Sequence, residues 1–175
     1  MDVTSRDHVH HVLEQWRREV PQVDRSPMGV VGRISRLAQL LQAELEPIFA
    51  THGVNGGEFD VLASLRRTGR PYRLTPTELS KALMVTSGGM TKRLVALEVR
   101  GLVSRDPDPT DGRSKAVTLT REGKRLVDEI LPEHVANEDR LLGELGKKER
   151  AELAALLETL ALSLGDGAPR RFRRS

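Results

Sequence analysis

The sequence predicts a mainly α-helical fold that contains one small β-hairpin. Apolar residues recur with a period near 3.6 through most of the 175 residues, which indicates amphipathic helices. One stretch departs from this period, because two short extended runs flank a polar turn at residues 107–113. With 38% hydrophobic and 30% charged residues, the chain can bury the core of one compact domain with extra helices attached.

The N-terminal part, residues 1–54, is predicted to form two helices. Apolar residues at helical spacing occupy 9–20 and stop before Pro21. After a break predicted at 24–27, a second and longer apolar stripe runs over 30–48.

Two short helices with clear start signals are predicted next. The first follows Asn55 and stops before residues 69–71. The second begins at Thr75, which suits an N-cap, with Pro76 at the first helical position. Glu78 can reach back to the N-cap residue and complete a capping box.

A third short helix is predicted after a turn at residues 84–85. Thr86 is its N-cap candidate, and Gly101 ends it, because glycine readily adopts the left-handed conformation beyond a helix end. The residues predicted to face inward are Met90, Leu94 and Leu97, and those predicted to face outward are Ser87, Thr91, Lys92 and Val95.

A hairpin and two more helices complete the predicted order. Residues 102–106 and 115–119 read as the two strands, and Thr120 caps the helix that follows. Leucines at helical spacing predict a last helix over 147–164 that closes the fold. Residues 165–175 are small, polar and rich in arginine, and we expect them to be disordered.

Two short helices, a tight turn and a hairpin together define a winged helix-turn-helix, predicted over residues 55–125. The major groove of duplex DNA admits one α-helix, and the N-terminal residues of that helix reach the base edges. Two glycines near the helix start cost roughly 1 kcal/mol each relative to alanine, which a purely structural helix would have little reason to accept. The alternative is a loose N-terminal turn. The candidate DNA contacts are Ser87, Gly88, Thr91, Lys92 and Arg93.

The hairpin tip is the second candidate DNA contact. Arg113 can enter a minor groove, where narrow A·T-rich stretches concentrate negative potential. Asp111 can pair with that arginine and orient its guanidinium. An ordinary solvated turn is the alternative.

Charge and composition exclude several classes of protein. Residues 70–125 carry 12 basic and 6 acidic side chains in a chain of net charge +3, which indicates a surface that faces a polyanion. The chain has no cysteine, which excludes disulfides, thiol catalysis and Cys-ligated metal. His8 and His11 lie three positions apart, with His10 between them in sequence. This pair could hold zinc, but the sequence offers no convincing third ligand, so we expect no metal and no cofactor. No apolar run reaches membrane-spanning length and no signal peptide is evident, so we expect a cytoplasmic protein.

Five segments taken in order resemble the MarR family of bacterial transcription regulators. They are LTPTELSKAL from Leu74, TSGGMTKRLVALE from Thr86, RGLV from Arg100, DPTDGRS from Asp108 and LTREG from Leu119.

The resemblance is densest over residues 55–125 and extends to about residue 164. It implies a homodimer joined by the N-terminal helices of 1–54 and the C-terminal helices of 126–164. It also implies binding to a palindromic operator in double-stranded DNA and a small ligand that changes the spacing of the two DNA-reading lobes.

The added first helix resembles that of the urate-responsive branch of the family, the HucR-, PecS- and TamR-like regulators. That resemblance implies ligand sensing by Trp16, Asp60, Arg93 and Arg105. Arginines can neutralise an anionic ligand such as urate or an organic acid, and tryptophan can stack on a flat ring. The alternatives are a core role for Trp16, a cap or surface charge at Asp60, and a phosphate contact at Arg93.

The sequence therefore predicts a ligand-responsive, DNA-binding repressor. Three other functions remain open, namely a regulator without a small-anion pocket, a helical interaction module and an enzyme. We expect no enzyme, because the sequence shows no nucleophile motif and its five histidines lie in or near the helical ends.

Overall fold

The computed structural model describes residues 6–107 and 115–167 and confirms the mainly helical fold class. Seven helices and three strands occur in these residues. Their bounds are α1 His8–Glu19, α2 Ser26–Thr51, α3 Gly56–Arg67, β1 Arg73–Leu74, α4 Pro76–Ala82, α5 Ser87–Val99, β2 Val103–Pro107, β3 Lys115–Leu119, α6 Arg121–Leu141 and α7 Lys147–Ser163.

The predicted helix starts in the central part of the chain are confirmed. Reciprocal capping boxes join Asn55 to Glu58 at the start of α3 and Thr75 to Glu78 at the start of α4. The Thr86 hydroxyl accepts the Gly89 N–H at 3.2 Å and caps α5. Each cap satisfies backbone N–H groups that the first helical turn leaves without a partner.

Helix α2 begins earlier than its apolar stripe predicts. The expected break at 24–27 is wrong in part, because α2 starts at Ser26 and takes Pro27 into its first turn, where proline is tolerated. The Asp24 carboxylate accepts the Ser26 N–H at 2.9 Å just before this turn.

The hairpin is part of a three-stranded antiparallel sheet with strand order β1-β3-β2. Strand β1, which the sequence analysis missed, pairs Arg73 with Thr118. Two residues are too few to show an alternating pattern. Ala116, Val117 and Leu119 are all buried in the central strand β3.

The residues up to 134 form one compact unit with a continuous hydrophobic core. The inner stripe of α5 packs here as predicted. The largest fully buried side chains are Leu62, Leu65, Leu79, Met90, Leu94, Leu97, Ile130, Val61, Val117 and Val127.

The added helix α1 belongs to this first unit and is held against α2 by an ion pair. Arg33 donates from Nε to Asp7 Oδ2 at 2.8 Å and from Nη2 to Asp7 Oδ1 at 2.9 Å. Val9 of α1 is buried beside Gly32 of α2. Two parallel hydrogen bonds of this kind fix an orientation as well as a distance.

The residues from 135 form a second unit, in which Arg150 at the start of α7 pairs with Asp139. Helix α7 is described throughout and buries none of its residues. The leucine stripe that was predicted to close the fold is therefore exposed in the described chain, with Leu156 at 70%. Among the described residues, no helix is both long enough and apolar enough to cross a bilayer.

Helix α6 lies directly against the start of the hairpin at Gly123. A Cβ at this position would lie 2.1 Å from the Leu102 carbonyl oxygen, which is far inside contact distance. We expect Gly123→Ala to lower the free energy of unfolding by about 1–3 kcal/mol, as overpacked sites do. Denaturant unfolding at fixed protein concentration measures the loss.

Gly32→Ala is the matched control, because a Cβ there would meet Val9 at an ordinary 3.4 Å. Its stability should be unchanged or higher by up to about 1 kcal/mol, since alanine favours helix. Equal unfolding midpoints for the two variants would contradict the close packing at Gly123.

Candidate nucleic-acid interface and adjoining clefts

The exposed face of α5 is the candidate DNA-reading surface. Its inner stripe is buried, and Ser87, Gly88, Thr91 and Lys92 are exposed on the other side. The Thr91 hydroxyl donates to the Ser87 carbonyl at 2.9 Å. In this structure its oxygen is therefore left to act as an acceptor.

The surroundings of the two glycines at the start of α5 differ, and so does the explanation for each glycine. A Cβ at Gly89 would lie 2.9 Å from a methyl group of Val85, so the packing of the turn explains this glycine. A Cβ at Gly88 would meet no atom of the described chain within 4 Å. No packing contact among the described residues explains glycine at position 88, which is consistent with a surface that another molecule approaches closely.

The side chain of Arg93 turns from α5 back towards the first turn of α3. Its Nη1 donates to the Gly57 carbonyl at 3.2 Å in a partly buried contact. A Cβ at Gly57 would lie 2.6 to 2.8 Å from the Cζ, Nε and Nη2 atoms of this guanidinium. The guanidinium thus occupies the space that a side chain at position 57 would need.

Asp60 lies one helical turn after Gly57 and interacts electrostatically with Arg93. Although the residue is exposed overall, burial of its carboxyl raises the pKa of Asp60 above the ordinary value, against the opposing pull of Arg93, His134 and Arg67. The structure therefore brings together two of the four residues that were predicted to sense a ligand.

A polar cleft of about 550 Å³ adjoins Arg93. It lies between α2, the start of α3 and α5. Glu46 of α2, whose carboxylate accepts the Gly56 N–H at 3.2 Å, was not among the predicted site residues. The signal that could have found it is the glycine pair after Asn55, which leaves room for side chains from other helices. The lining residues are Gln39, Gln42, Ala43, Glu46, Asn55, Gly56, Gly57 and Arg93.

Arg105 lies in β2 and forms an ion pair with Glu98 of α5, with 3.0 Å between Nε and Oε2. Its Nε and Nη2 atoms are shielded from solvent and have no well-aligned hydrogen-bond acceptor in the described chain. The pairing with Glu98 is thus an attraction of charges and leaves donor capacity unused.

Trp16 lines a separate and mainly apolar cleft of about 660 Å³ between α1 and α2. Its side chain is 45% exposed, so it is not a core residue of the single chain. This cleft shares no lining residue with the one beside Arg93. In this structure the four predicted sensing residues do not line one common pocket.

Two predicted site residues, Asp111 and Arg113 at the hairpin tip, lie outside the described residues. Within the described ranges, no three His, Cys, Asp or Glu side chains are grouped as a metal site would need.

Comparisons with known proteins agree with the winged helix-turn-helix fold. A model described as the MarR family matches residues 52–114. The HTH-type transcriptional regulator PecS of Dickeya dadantii is 39% identical over 149 residues, which cover 85% of this chain and 90% of that protein.

Solved structures of similar proteins have the same fold. A mutant MarR from E. coli complexed with operator DNA is 26% identical with a TM-score of 0.67, over 83% of this chain and 96% of that one. Bordetella bronchiseptica BpsR, described as regulated in its DNA binding by 6-hydroxynicotinic acid, is also 26% identical with a TM-score of 0.67. The match covers 75% of this chain and 92% of BpsR.

The raised pKa of Asp60 predicts a stabilising substitution. At neutral pH the ionised carboxyl costs folding free energy, so Asp60→Asn should unfold at a higher temperature than the original protein. The advantage should shrink as the pH falls through the raised pKa towards 3.8, because the folded protein then binds the proton. Thermal melts over a pH series measure the difference.

Asp128→Asn is a control of opposite sign. Hydrogen bonds from Lys124 and Arg66 lower the pKa of the Asp128 carboxyl below 3.8. This variant should be less stable at neutral pH, and its deficit should disappear only as the pH falls below 3.8. A destabilised Asp60→Asn at pH 7 would contradict the assignment of its pKa to burial.

Proposed function

The chain belongs to the MarR family of transcriptional regulators, which makes it a DNA-binding regulator and not an enzyme. From that premise we propose that it is a repressor, that it binds a palindromic operator as a homodimer, and that a small anion releases it. It acts on DNA in the cytoplasm. The observation that carries the proposal is the exposed start of α5, where Gly88 leaves open space beside Thr91 and Lys92.

In the proposed complex, α5 enters the major groove and its first two turns approach the bases. Ser87 and Thr91 offer hydroxyl groups, and Lys92 and Arg93 offer positive charge. Arg113 at the hairpin tip, oriented by Asp111, enters the adjacent minor groove. As a two-fold dimer, the protein would bind half-sites about 10–10.5 base pairs apart.

Exposed apolar side chains on the terminal helices support the homodimer. Soluble monomers rarely expose large apolar patches, and such patches usually mark an interface. The exposed apolar residues of α2 include Val30, Val31, Ile34, Leu37, Leu40 and Leu41, and those of α7 include Leu153, Leu156, Leu157, Leu160 and Leu162.

An anionic effector such as urate or an organic acid is supported by the arginines that sequence analysis selected. Arg105 has buried N–H groups without aligned acceptors, and Arg93 adjoins a polar cleft next to Asp60. Trp16 offers an exposed ring at the α1–α2 cleft. A ligand that favours one orientation of Arg93 would change DNA affinity, and DNA would change ligand affinity by the same factor.

A second candidate is a DNA-binding regulator without a small-anion pocket. One observation favours it, because Arg93 and Arg105 already contact Gly57 and Glu98, and Trp16 lines a different cleft. A helical interaction module is the third candidate, and the DNA titration below separates it from both regulators.

The experiment that tests the proposal is fluorescence anisotropy on labelled DNA taken from upstream of the protein's own gene. Excess random-sequence competitor removes nonspecific binding, and urate, aconitate and 6-hydroxynicotinate are then titrated separately. We expect binding that resists the competitor and is reversed by one of the three anions. Specific binding that ignores all three would support the regulator without the pocket. Equal affinity for every duplex, including those selected from a random library, would overturn the proposal that the protein is a repressor.

Lys92→Ala tests the contact surface of α5. If Lys92 reads a base, the variant should lose preference at one operator position by about 1–3 kcal/mol. If Lys92 contacts only phosphate, the affinity of the variant for every duplex should fall by a similar factor, and the slope of log K against log salt should fall by about 1. Titrations of the operator and its point variants at several salt concentrations separate the two results.

Lys148→Ala is the matched control, because it removes the same charge from α7, where the lysine side chain is 89% exposed. Its DNA affinity and salt slope should equal those of the original protein. If Lys92→Ala behaves like Lys148→Ala, the exposed face of α5 is not the DNA-binding surface.

A further inference from the structure

We propose that Gly57 and Glu46 are positioning residues for Arg93 and that, through it, they hold α5 in its DNA-binding orientation. The proposal rests on DNA reading by α5, and it does not depend on the identity of any effector. Two contacts within the first compact unit carry the proposal, one from α2 to the start of α3 and one from the start of α3 to α5.

The contact between Gly57 and Arg93 joins α3 to α5 by a hydrogen bond and by shape. The guanidinium donates to the Gly57 carbonyl at 3.2 Å and lies where a Cβ of residue 57 would be. Only glycine leaves this space free, because every other residue would put a carbon within 2.8 Å of the guanidinium. The role of Gly57 is therefore steric and specific to the side chain of Arg93.

The contact between Glu46 and Gly56 joins α2 to the same turn of α3. The two carboxylate oxygens lie 3.2 and 3.4 Å from the Gly56 nitrogen. This N–H is one of those at the helix start that have no partner within the helix, and the carboxylate also favours the positive end of the helix dipole. A Cβ at Gly56 would lie 3.0 Å from Glu46 Oε2, so glycine again permits a close approach.

Pro47, the residue after Glu46, interrupts the backbone hydrogen bonding of α2. Pro47 lies inside the helix and has no N–H, so α2 cannot supply the usual partner for the Ala43 carbonyl. Ala43 and Glu46 both line the polar cleft beside Arg93. The helical hydrogen bonding of α2 is thus interrupted at the level where α2 contacts α3.

These contacts connect α2, which carries the exposed apolar face, to α5 through the start of α3. Arg93 is anchored at one end by the backbone of α5 and at the other by the Gly57 carbonyl. A shift of the α3 start relative to α2 would therefore move or release the guanidinium. Arg93 follows the buried Met90 by one turn and precedes the buried Leu94, so its release would loosen α5 at the middle of its packed side.

Gly57→Ala is the first test, because it displaces Arg93 without disrupting the fold. The obstructed atoms are the far end of a flexible side chain, and alanine is favoured over glycine in a helix. We expect little net change in melting temperature, because the helix-favouring alanine offsets part of the lost hydrogen bond between Arg93 and the Gly57 carbonyl. DNA affinity should fall about tenfold, because Arg93 no longer holds α5 in its binding orientation. The probe is a duplex that the unmodified protein has selected from a random-sequence library.

The double variant gives the decisive comparison. Arg93→Ala should lower affinity by a similar factor, and adding Gly57→Ala to it should change nothing further, because the obstructed side chain is gone. The slope of log K against log salt should stay the same for Gly57→Ala, since this substitution removes no positive charge from the protein.

The role of Glu46 is tested with one conservative substitution and one that removes the side-chain oxygens. Glu46→Gln keeps an oxygen acceptor for the Gly56 N–H and should retain most DNA affinity, whereas Glu46→Ala should lower it about as much as Gly57→Ala does. Circular dichroism melts at one protein concentration establish that all variants are folded.

Three results would overturn the proposal. These are wild-type or higher affinity for Gly57→Ala, equal loss on adding Gly57→Ala to the Arg93→Ala background, and equal loss for Glu46→Gln and Glu46→Ala. Failure of the proposed function has a different signature, because no duplex would then be enriched by the unmodified protein. Loss of effector response alone would leave the role of Gly57 and Glu46 unaffected.

Discussion

The structure depends on the burial of one side of α5. Met90, Leu94 and Leu97 are at most 1% exposed, and they pack the helix against α3, α4 and the sheet. Burial of three large side chains contributes several kcal/mol to folding and also fixes which side of α5 faces outwards. The exposed start of the helix, the connection through Arg93 to α3 and the ion pair of Glu98 with Arg105 all follow from that orientation.

The parts of the fold that sequence could predict are those set by neighbouring residues. The capping boxes at Asn55 and Thr75 need partners only three positions away, so their spacing is visible in the chain. Strand β1 depends on pairing between Arg73 and Thr118, which are 45 positions apart, and its two residues carry no pattern. The orientation of Arg93 was hidden for the same reason, because the Gly57 carbonyl that receives it lies 36 positions earlier. The placement of Trp16 in a cleft apart from Arg93 likewise depends on how helices pack.

The basic character of residues 70–125 is only partly available to a polyanion. Arg105 pairs with Glu98, Arg100 lies 3.4 Å from Glu58, and the charge of Lys124 is shared with Asp128. A count of charges along the sequence treats these side chains as equal to Lys92, which is exposed on α5. Pairing within the protein therefore concentrates the unshared positive charge of the described part of the lobe on fewer positions than the composition indicates. Electrostatic attraction to DNA then carries more orientational information than a uniformly basic surface would.

The open space at Gly88 separates the energetics of folding from those of recognition. Because no described atom lies within 4 Å of a Cβ at this position, the described part of the chain leaves room for a side chain to begin there. A clash within the described chain therefore does not explain a small residue at position 88. DNA affinity could be measured for a series of increasingly large side chains at this one site. The side-chain size at which DNA affinity begins to fall would measure the clearance between α5 and the base pairs in the proposed complex.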